Sequence, residues 1–322
     1  MAPERARRRL SDAGLDPQAV ENLVLAALTE DGDVDVTSEP IFEPGETSTG
    51  RLVARQDGVV AGLPVAELVF ALLGLDTVPD TAPNTGPDTG PDTGPDTAPV
   101  ARSVWDGDRV RAGDVLLGVS GSTRAMLRAE RPALNFLTHL SGIATVTRRW
   151  TDAVAGSHAR VRDTRKTLPG LRALQKYAVR CGGGVNHRLS LADAALVKDN
   201  HVLAAGSVTK AYEAIRARFP DLPVQVECDT LDQVEEALAA GAGSILLDNM
   251  SVADMAAAVR IVAGRAELEA SGGLTVDGAA DVAATGVDYL SVGALTHSAP
   301  ALDIGLDFDF TPERPQLNTT GT

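Results

Sequence analysis

From residue 159 onward one pattern recurs six times, and it restricts the fold more than any other feature. Short apolar runs, ARVRDT, AALVKD, PVQVEC, SILLDN, ELEASG and YLSVGA, alternate with helix-like stretches. Four of those stretches, SVTKAYEAIRARF, TLDQVEEALAAG, SVADMAAAVRIVAG and TVDGAADVAATG, open on Ser or Thr at a cap position, and three close on glycine. Thr230 and Gln233 have capping-box spacing. Successive βα units predict a parallel sheet. With no dinucleotide-binding glycine fingerprint, six such units favour a closed βα barrel, whose chemistry sits at the C-terminal ends of the strands.

The part before residue 130 reads differently. AVENLVLAALTED and LPVAELVFALLG are helical, and TSTGRLVARQDGVVAG reads as two short strands around a turn. RSVWDGDRVRAGDVLLGVSG reads as strand, turn, strand. Mixed elements without regular alternation predict an α+β domain on an antiparallel sheet. A long helix is expected from Arg131, with Leu134, Leu137, Leu140, Ile143 and Val146 at helical spacing. Between the two folded pieces of this domain runs PDTAPNTGPDTGPDTGPDTAP, residues 79–99. Its Pro, Gly, Asp and Thr cannot bury a core, so it is expected to be a disordered surface insertion. Loop length changes closure entropy only slowly. Replacing Pro79–Pro99 by a short Gly/Ser linker is therefore expected to leave turnover essentially unchanged, and a large loss of kcat would contradict this reading.

Charge narrows the function. The chain carries a formal net charge of −15 and 3% aromatic residues, which argues against nucleic acid, whose phosphates want cations and whose bases want stacking platforms. MAPERARRRL is followed by polar SDAGLDP, so no secretory signal is expected. No apolar run reaches the roughly 18 residues that span a bilayer. Cys181 and Cys228 show no metal spacing or disulfide framework and are expected to be inert thiols of a cytoplasmic protein. Yet between Arg160 and His201 nine Lys/Arg stand against three acids. A basic island in an acidic chain is either a solvated face or a local anion site.

Placement on the strands decides between these. The first strand ends in Arg165 and Lys166 and the second in Lys198. The third carries Glu227 and the fourth Asp248. The fifth ends in Ser271, Gly272 and Gly273, and the sixth in a turn containing Gly293. Cations suit an anionic substrate, arginine offering paired donors to carboxylate or phosphate. Carboxylates on neighbouring strands suit Mg²⁺ or a developing positive charge. Glycine-rich strand-to-helix turns suit phosphate. Together these types point to a phosphorylated-sugar substrate.

The segments ERPALNFLTHLSGIAT, DTRKTLPGLRALQKYAVRCGGGVNHR, ALVKDNH, VECDT, LLDNM, SGGL and DYLSVGALTHSAP together resemble the quinolinate phosphoribosyltransferases. The likeness covers most of the chain from Leu10 to about Phe310, apart from the repeat. It departs from the family pattern at EDGDVDVT, Glu30 to Thr37. The resemblance implies an α/β chain: an N-terminal α/β sandwich (1–142), an incomplete βα barrel of six to seven strands (143–298) and a tail (299–322) expected to return to the sandwich. It implies a homodimer with sites between subunits, Mg²⁺ as cofactor, and quinolinate and phosphoribosyl pyrophosphate as substrates. The implied reaction yields nicotinate mononucleotide, pyrophosphate and CO₂ in NAD synthesis. By the same resemblance Arg165, His187, Arg188 and Lys198 are quinolinate-binding cations, and Arg131 reaches the partner's site. Lys166 contacts substrate near the pyrophosphate. Glu227 and Asp248 lie around the ribose and its metal. Ser271, Gly272, Gly293 and His297 form the phosphate-binding set.

Three other readings of the residues stay open at this stage. A phosphoribosyltransferase acting on nicotinate without decarboxylation would need fewer cations for its single carboxylate. A βα-barrel aldolase would use Lys166 or Lys198 as Schiff-base nucleophile, which borohydride trapping reveals. A non-catalytic binding protein would have no use for the acid pair.

Overall fold

The computed structural model describes residues 2–32, 34–78 and 104–309; the repeat at 79–99 and the tail from 310 lie outside them. In chain order the elements are α1 (Ala2–Asp12), α2 (Pro17–Glu30), β1 (Thr47–Ala54), β2 (Gly58–Val59), α3 (Leu63–Leu72), β3 (Asp76–Val78), β4 (Arg109–Val110), β5 (Val115–Ser122) and α4 (Thr123–Ala153). There follow β6 (Arg160–Arg162), α5 (Arg172–Cys181), β7 (Ala195–Val197), α6 (Asp199–Ala205), α7 (Val208–Arg218), β8 (Val224–Cys228) and α8 (Leu231–Ala239). The chain continues with β9 (Ser244–Asp248), α9 (Val252–Val262), β10 (Glu267–Ser271), α10 (Ala279–Ala284), β11 (Tyr289–Ser291), α11 (Ala294–His297) and β12 (Ile304–Asp309).

Two compact units result, and the chain passes from one to the other within α4. The first comprises the stretches up to Asp57, Gly62–Thr138 and from Leu302 on. Its antiparallel sheet has the order β12-β1-β5-β3, with Leu52 of β1 opposite both Leu306 and Leu117. Every residue of α3 from Leu63 to Ala71 is buried. A helix apolar all round must be covered on all sides, and α3 touches α1 and α2 as well as β3 and β5.

The second unit, Gly58–Ala61 with His139–Ala301, contains six parallel strands in the order β6-β11-β10-β9-β8-β7. The first two strands in the chain are therefore the two edges of the sheet. Beside β6, Val185 forms a parallel bridge with Arg162, its N–H bonding the Val161 carbonyl at 2.8 Å. This is a one-residue remnant of a seventh strand. Three of the four expected caps form: Ser207 and Ser251 accept from Lys210 and Asp254 N–H, and Thr230 and Gln233 close a capping box; Thr275 does not, because α10 starts later, at Ala279 after Gly278.

The strands alternate, although buried parallel strands are ordinarily apolar throughout. Val161, Val197, Val226, Ile245, Leu247, Leu268, Ala270 and Leu290 are buried. The intervening positions, Arg162, Gln225, Glu227, Asp248, Glu269, Ser271 and Ser291, are polar and lie on the opposite face of the sheet. Side chains alternate with period two, so this polar face is a lumen built for ligands rather than packing.

One expectation needs correction. The long helix does not begin at Arg131. That residue lies inside α4, which starts at Thr123 and carries Pro132 within it. Proline at a helix start is so favourable that ERP reads as an N-terminus; here the helix accepts the loss of one backbone bond instead.

The thiols behave as the composition suggests. Cys181 and Cys228 are both free, and burial pushes the Cys228 thiol up to about 12. At pH 8 its thiolate fraction is then on the order of 10⁻⁴, and only the thiolate attacks a disulfide reagent. Cys228 is expected to resist an aromatic disulfide reagent until the protein is unfolded; labelling followed by peptide mapping checks this.

Candidate active site

A cavity of about 380 Å³ opens in the second unit, lined by Thr164, Arg165, Lys166, His187, Arg188, Leu196, Lys198, Glu227, Leu246, Asp248, Glu269, Ser271 and Ser291. Its walls are the carboxyl ends of all six strands and the loops that follow them.

The segment after β6 is locked before it reaches the cavity. Asp163 is fully buried and accepts from the ammonium of Lys176, from Asn186 Nδ2 at 2.5 Å and from His187 N–H at 2.8 Å. Burial pushes this carboxyl up against the pull of its donors. Lys176 is also fully buried and gives a further bond to the His187 carbonyl at 3.0 Å. One aspartate thus fastens β6, α5 and the loop at 185–188 together. Thr164 Oγ1 then accepts Lys166 N–H at 3.0 Å, and Thr296 Oγ1 donates to the Lys166 carbonyl at 2.8 Å. Gln175, buried in α5, accepts Leu168 N–H at 3.0 Å and donates to the Thr296 carbonyl at 2.9 Å.

Arg165 and Arg188 meet on the cationic side. Arg188 donates to the Ala194 carbonyl at 2.5 Å. Burial and the neighbouring Arg165 pull its pKa down, with Asp193 acting in the opposite sense. The buried Nε of Arg165 has no hydrogen-bond partner among the described residues. Lys198 lies across from them in a 3.1 Å ion pair with Glu227.

On the acidic side Glu227 and Asp248 come from adjacent strands. Glu227 pairs in register with Leu246, and Asp248 stands two residues further along the same face. Asp248 accepts from Asn249 Nδ2 at 2.8 Å. Asn249 has φ of 53° and its N–H bonds the Ser271 carbonyl at 2.9 Å. Gly272, at φ 85°, lies so close that a Cβ would run into the Asn249 side chain. Positive φ and lack of space both require glycine there.

The floor is a buried network. Glu269, 1% exposed, accepts from Arg162 Nη1 at 2.7 Å, from Gln225 Nε2 at 2.9 Å and from Ser291 Oγ. The Arg162 guanidinium stacks on Tyr289, 3.4 Å from the ring centre. His187 lies above, with Nε2 3.0 Å from Gln225 Oε1 and Nδ1 accepting Arg188 N–H at 2.8 Å.

A family model described as "Quinolinate phosphoribosyl transferase, C-terminal domain" matches residues 143–307, and its N-terminal counterpart matches 35–141. The chain belongs to the quinolinate phosphoribosyltransferase family. A nicotinate-nucleotide pyrophosphorylase [carboxylating] of Mycobacterium leprae is 50% identical over 304 residues, 92% of this chain and 99% of that one. NadC from Streptococcus pyogenes superposes with a TM-score of 0.81 at 40% identity, covering 92% of this chain and 99% of that one. The nicotinate-nucleotide pyrophosphorylase of Francisella tularensis gives 0.81 at 34% identity, with coverage of 91% and 96%. A human nicotinic acid phosphoribosyltransferase, 16% identical with a TM-score of 0.51, shares the fold alone.

Of the residues that the quinolinate phosphoribosyltransferase resemblance singles out, eight line the cavity: Arg165, Lys166, His187, Arg188, Lys198, Glu227, Asp248 and Ser271. Gly293 stands just behind, where a Cβ would lie 3.0 Å from Lys166 Cδ and 3.3 Å from His297 Nε2. His297 ends α11, exposed, with Nδ1 2.6 Å from Ser298 Oγ. Gly272 supports Asn249 rather than forming wall. Arg131 belongs to the other unit, is 73% exposed, and has Glu130 at 3.7 Å.

His187 Nδ1 accepts the Arg188 N–H, and burial lowers the pKa of the ring while the nearby Glu269 acts in the opposite sense. Glu269, Gln225 and Ser291 were absent from the sequence-derived set, as were the apolar wall residues Leu196 and Leu246. The available signal was polar alternation inside QVEC, ELEAS and YLS, unusual in buried parallel strands.

Proposed function

We propose that the lumen binds quinolinate on its arginine side and phosphoribosyl pyrophosphate on its acidic side, and joins the two. As a family member the chain is a pentosyltransferase of NAD synthesis, forming nicotinate mononucleotide with loss of CO₂. The observation that carries the division of the cavity is the Arg165–Arg188 pair. Two guanidiniums face one ligand space without an ion pair within 4 Å among the described residues. Two cations left so need a ligand with two negative charges, since each desolvated, uncompensated charge costs several kcal/mol. A monocarboxylate such as nicotinate would answer only one of them.

Departure of pyrophosphate leaves positive charge on the ribosyl carbon, which Glu227 and Asp248 are placed to stabilise. Lys166, fixed at both its N–H and its carbonyl, offers its ammonium to the departing phosphates. Ser271, Gly272, Gly293 and His297 take the sugar phosphate. Alkylation makes the pyridine nitrogen cationic and the ring an electron sink. The adjacent C–C bond then breaks, CO₂ leaves, and the electron pair left on carbon takes up a proton.

Mg²⁺ fits this arrangement. Among the described residues no three His, Cys, Asp or Glu side chains form a ready-made cage. Mg²⁺ is ordinarily held by one or two carboxylates together with substrate phosphates, which Glu227 and Asp248 match. When bound it would neutralise charge on the leaving pyrophosphate.

The test of the activity is CO₂ release from carboxyl-labelled quinolinate. Release that depends on phosphoribosyl pyrophosphate and matches nicotinate mononucleotide formation supports the reading. Turnover of nicotinate with none of quinolinate would overturn it.

The dimer is part of the proposal. Its supports are the family resemblance and the exposure of Arg131, which has only its chain neighbour Glu130 as an ion-pair partner among the described residues. Mixing Arg131→Ala with Lys166→Ala chains, each inactive alone, is expected to restore part of the activity. Verified mixed dimers with no recovery would remove the shared site.

A further inference from the structure

The geometry assigns to Glu269 and Gln225 a positioning role: they hold His187 as a neutral imidazole protonated on Nε2, and through it they set Arg188. The inference rests on the quinolinate reading of the cavity. Its structural half stands on contacts alone.

Glu269 lines the cavity, yet its acceptor capacity is already taken up. A carboxylate has about four lone-pair directions. Arg162, Gln225 and Ser291 occupy three. His187 Nε2 lies 3.6 Å from Oε1, on the remaining side. Arg162, its ion-pair partner, is further fixed by stacking on Tyr289. A carboxylate held by so many donors is a fixed anchor and a poor acceptor for substrate.

Gln225 transmits this anchor. Its NH₂ donates to Glu269 at 2.9 Å, which leaves its oxygen facing His187 Nε2 at 3.0 Å. An oxygen there only accepts, so Nε2 must carry the proton. On the other edge of the ring Nδ1 lies 2.8 Å from Arg188 N–H, a group that only donates. Both edges demand the same tautomer. The charged groups around the ring are Glu269 of β10, Arg162 of β6 and Lys176 of α5, with Asp163 holding the His187 backbone. A protonated ring would set a second donor against the Arg188 N–H and lose that bond. His187 therefore supplies no charge to the dicarboxylate. It fixes the backbone of Arg188, whose guanidinium does.

The tautomer is measurable on the enzyme without substrates. Long-range ¹⁵N–¹H correlation spectra of histidine-labelled protein at pH 7, assigned through His187→Gln, are expected to show Nε2 protonated and Nδ1 bare. A doubly protonated ring, or a proton on Nδ1, overturns the proposal whatever the activity. Gln225→Leu then tests the consequence. It should disturb the His187 signals and raise the Kd for quinolinate roughly tenfold, the worth of one hydrogen bond. Affinity for phosphoribosyl pyrophosphate and kcat at saturation should stay within about twofold. Equal weakening of both substrates, or an unchanged quinolinate Kd, overturns the link to Arg188. If Gln225→Leu fails to fold, the wild-type spectrum still decides the tautomer. A chain that released no CO₂ from quinolinate would refute the activity and leave the spectrum standing, so the two failures are distinguishable.

Discussion

Arg165→Ala is expected to weaken quinolinate binding by roughly 30- to 4,000-fold, because truncating one partner of a buried charge pair costs about 2–5 kcal/mol. The guanidinium stands beside Arg188 with a buried Nε that has no partner among the described residues. It is thus held ready for an acceptor that the protein itself does not provide. Removing it leaves one substrate carboxylate desolvated and unmatched. Affinity for phosphoribosyl pyrophosphate should change far less, since Glu227, Asp248 and the glycine turns lie on other strands and Lys166, though next in the chain, is assigned to the phosphates. Separate calorimetric titrations of the two substrates check this. Equal losses for both, or none for quinolinate, would show that the cationic side is divided wrongly. Lysine at this position is expected to recover only part of the loss, because it lacks the planar fork that meets a carboxylate with two bonds.

The second large effect is on stability. Asp163→Ala leaves Lys176 fully buried without its counter-ion, with the His187 N–H orphaned and the Asn186 amide reduced to its bond with the Lys176 carbonyl. Breaking a buried pair by removing one partner costs about 3–5 kcal/mol, a large share of the 5–15 kcal/mol typical of folded domains. Urea unfolding should show a loss of stability of that size, read as a lowered midpoint at unchanged m-value. The double replacement Asp163→Leu with Lys176→Met should recover much of it, because apolar residues of similar volume often replace a buried pair without loss. A double variant as unstable as the single one would mean that Asp163 acts mainly through the loop at 185–188. In either variant quinolinate binding should suffer, since that loop carries His187 and Arg188.

How much of this was legible follows from where each residue lies. The rim residues could be read because strand ends are marked twice, by the apolar run that stops and by the capped helix that begins. Arg165, Lys166, Lys198, Glu227, Asp248 and Ser271 were found in that way, and all line the cavity. The floor was not read, because Glu269 and Gln225 sit in mid-strand, where charge looks like a lumen or a surface with equal ease until the sheet order is known. The basic island was legible as an island but not in its parts. Arg162 is answered by Glu269 and Lys176 by Asp163, pairings 107 and 13 residues apart in sequence that no local pattern announces. The contacts of His187 were not legible either, because residue type says nothing of which ring nitrogen meets a donor. Helix α4 began earlier than expected because Pro132 carried the ordinary mark of a first turn.

The edge strands β6 and β7 do not pair with each other among the described residues, and Val185 lies bridged to β6. Just after that bridge comes Arg188, proposed above to meet the dicarboxylate, so extending the sheet edge and gripping the substrate would draw on one stretch of chain. Opening this stretch breaks the Val185 bridge together with the bonds that Asp163 makes to Asn186 and His187, a local unfolding step with its own free energy. A ligand held by both Arg165 and Arg188 would bind only the intact form and so suppress such openings by a factor that grows with its concentration over Kd. The Val185 amide, bonded to the Val161 carbonyl of β6, is the proton whose exchange with solvent would slow as quinolinate is added, which would make the substrate a structural member of the barrel for as long as it stays.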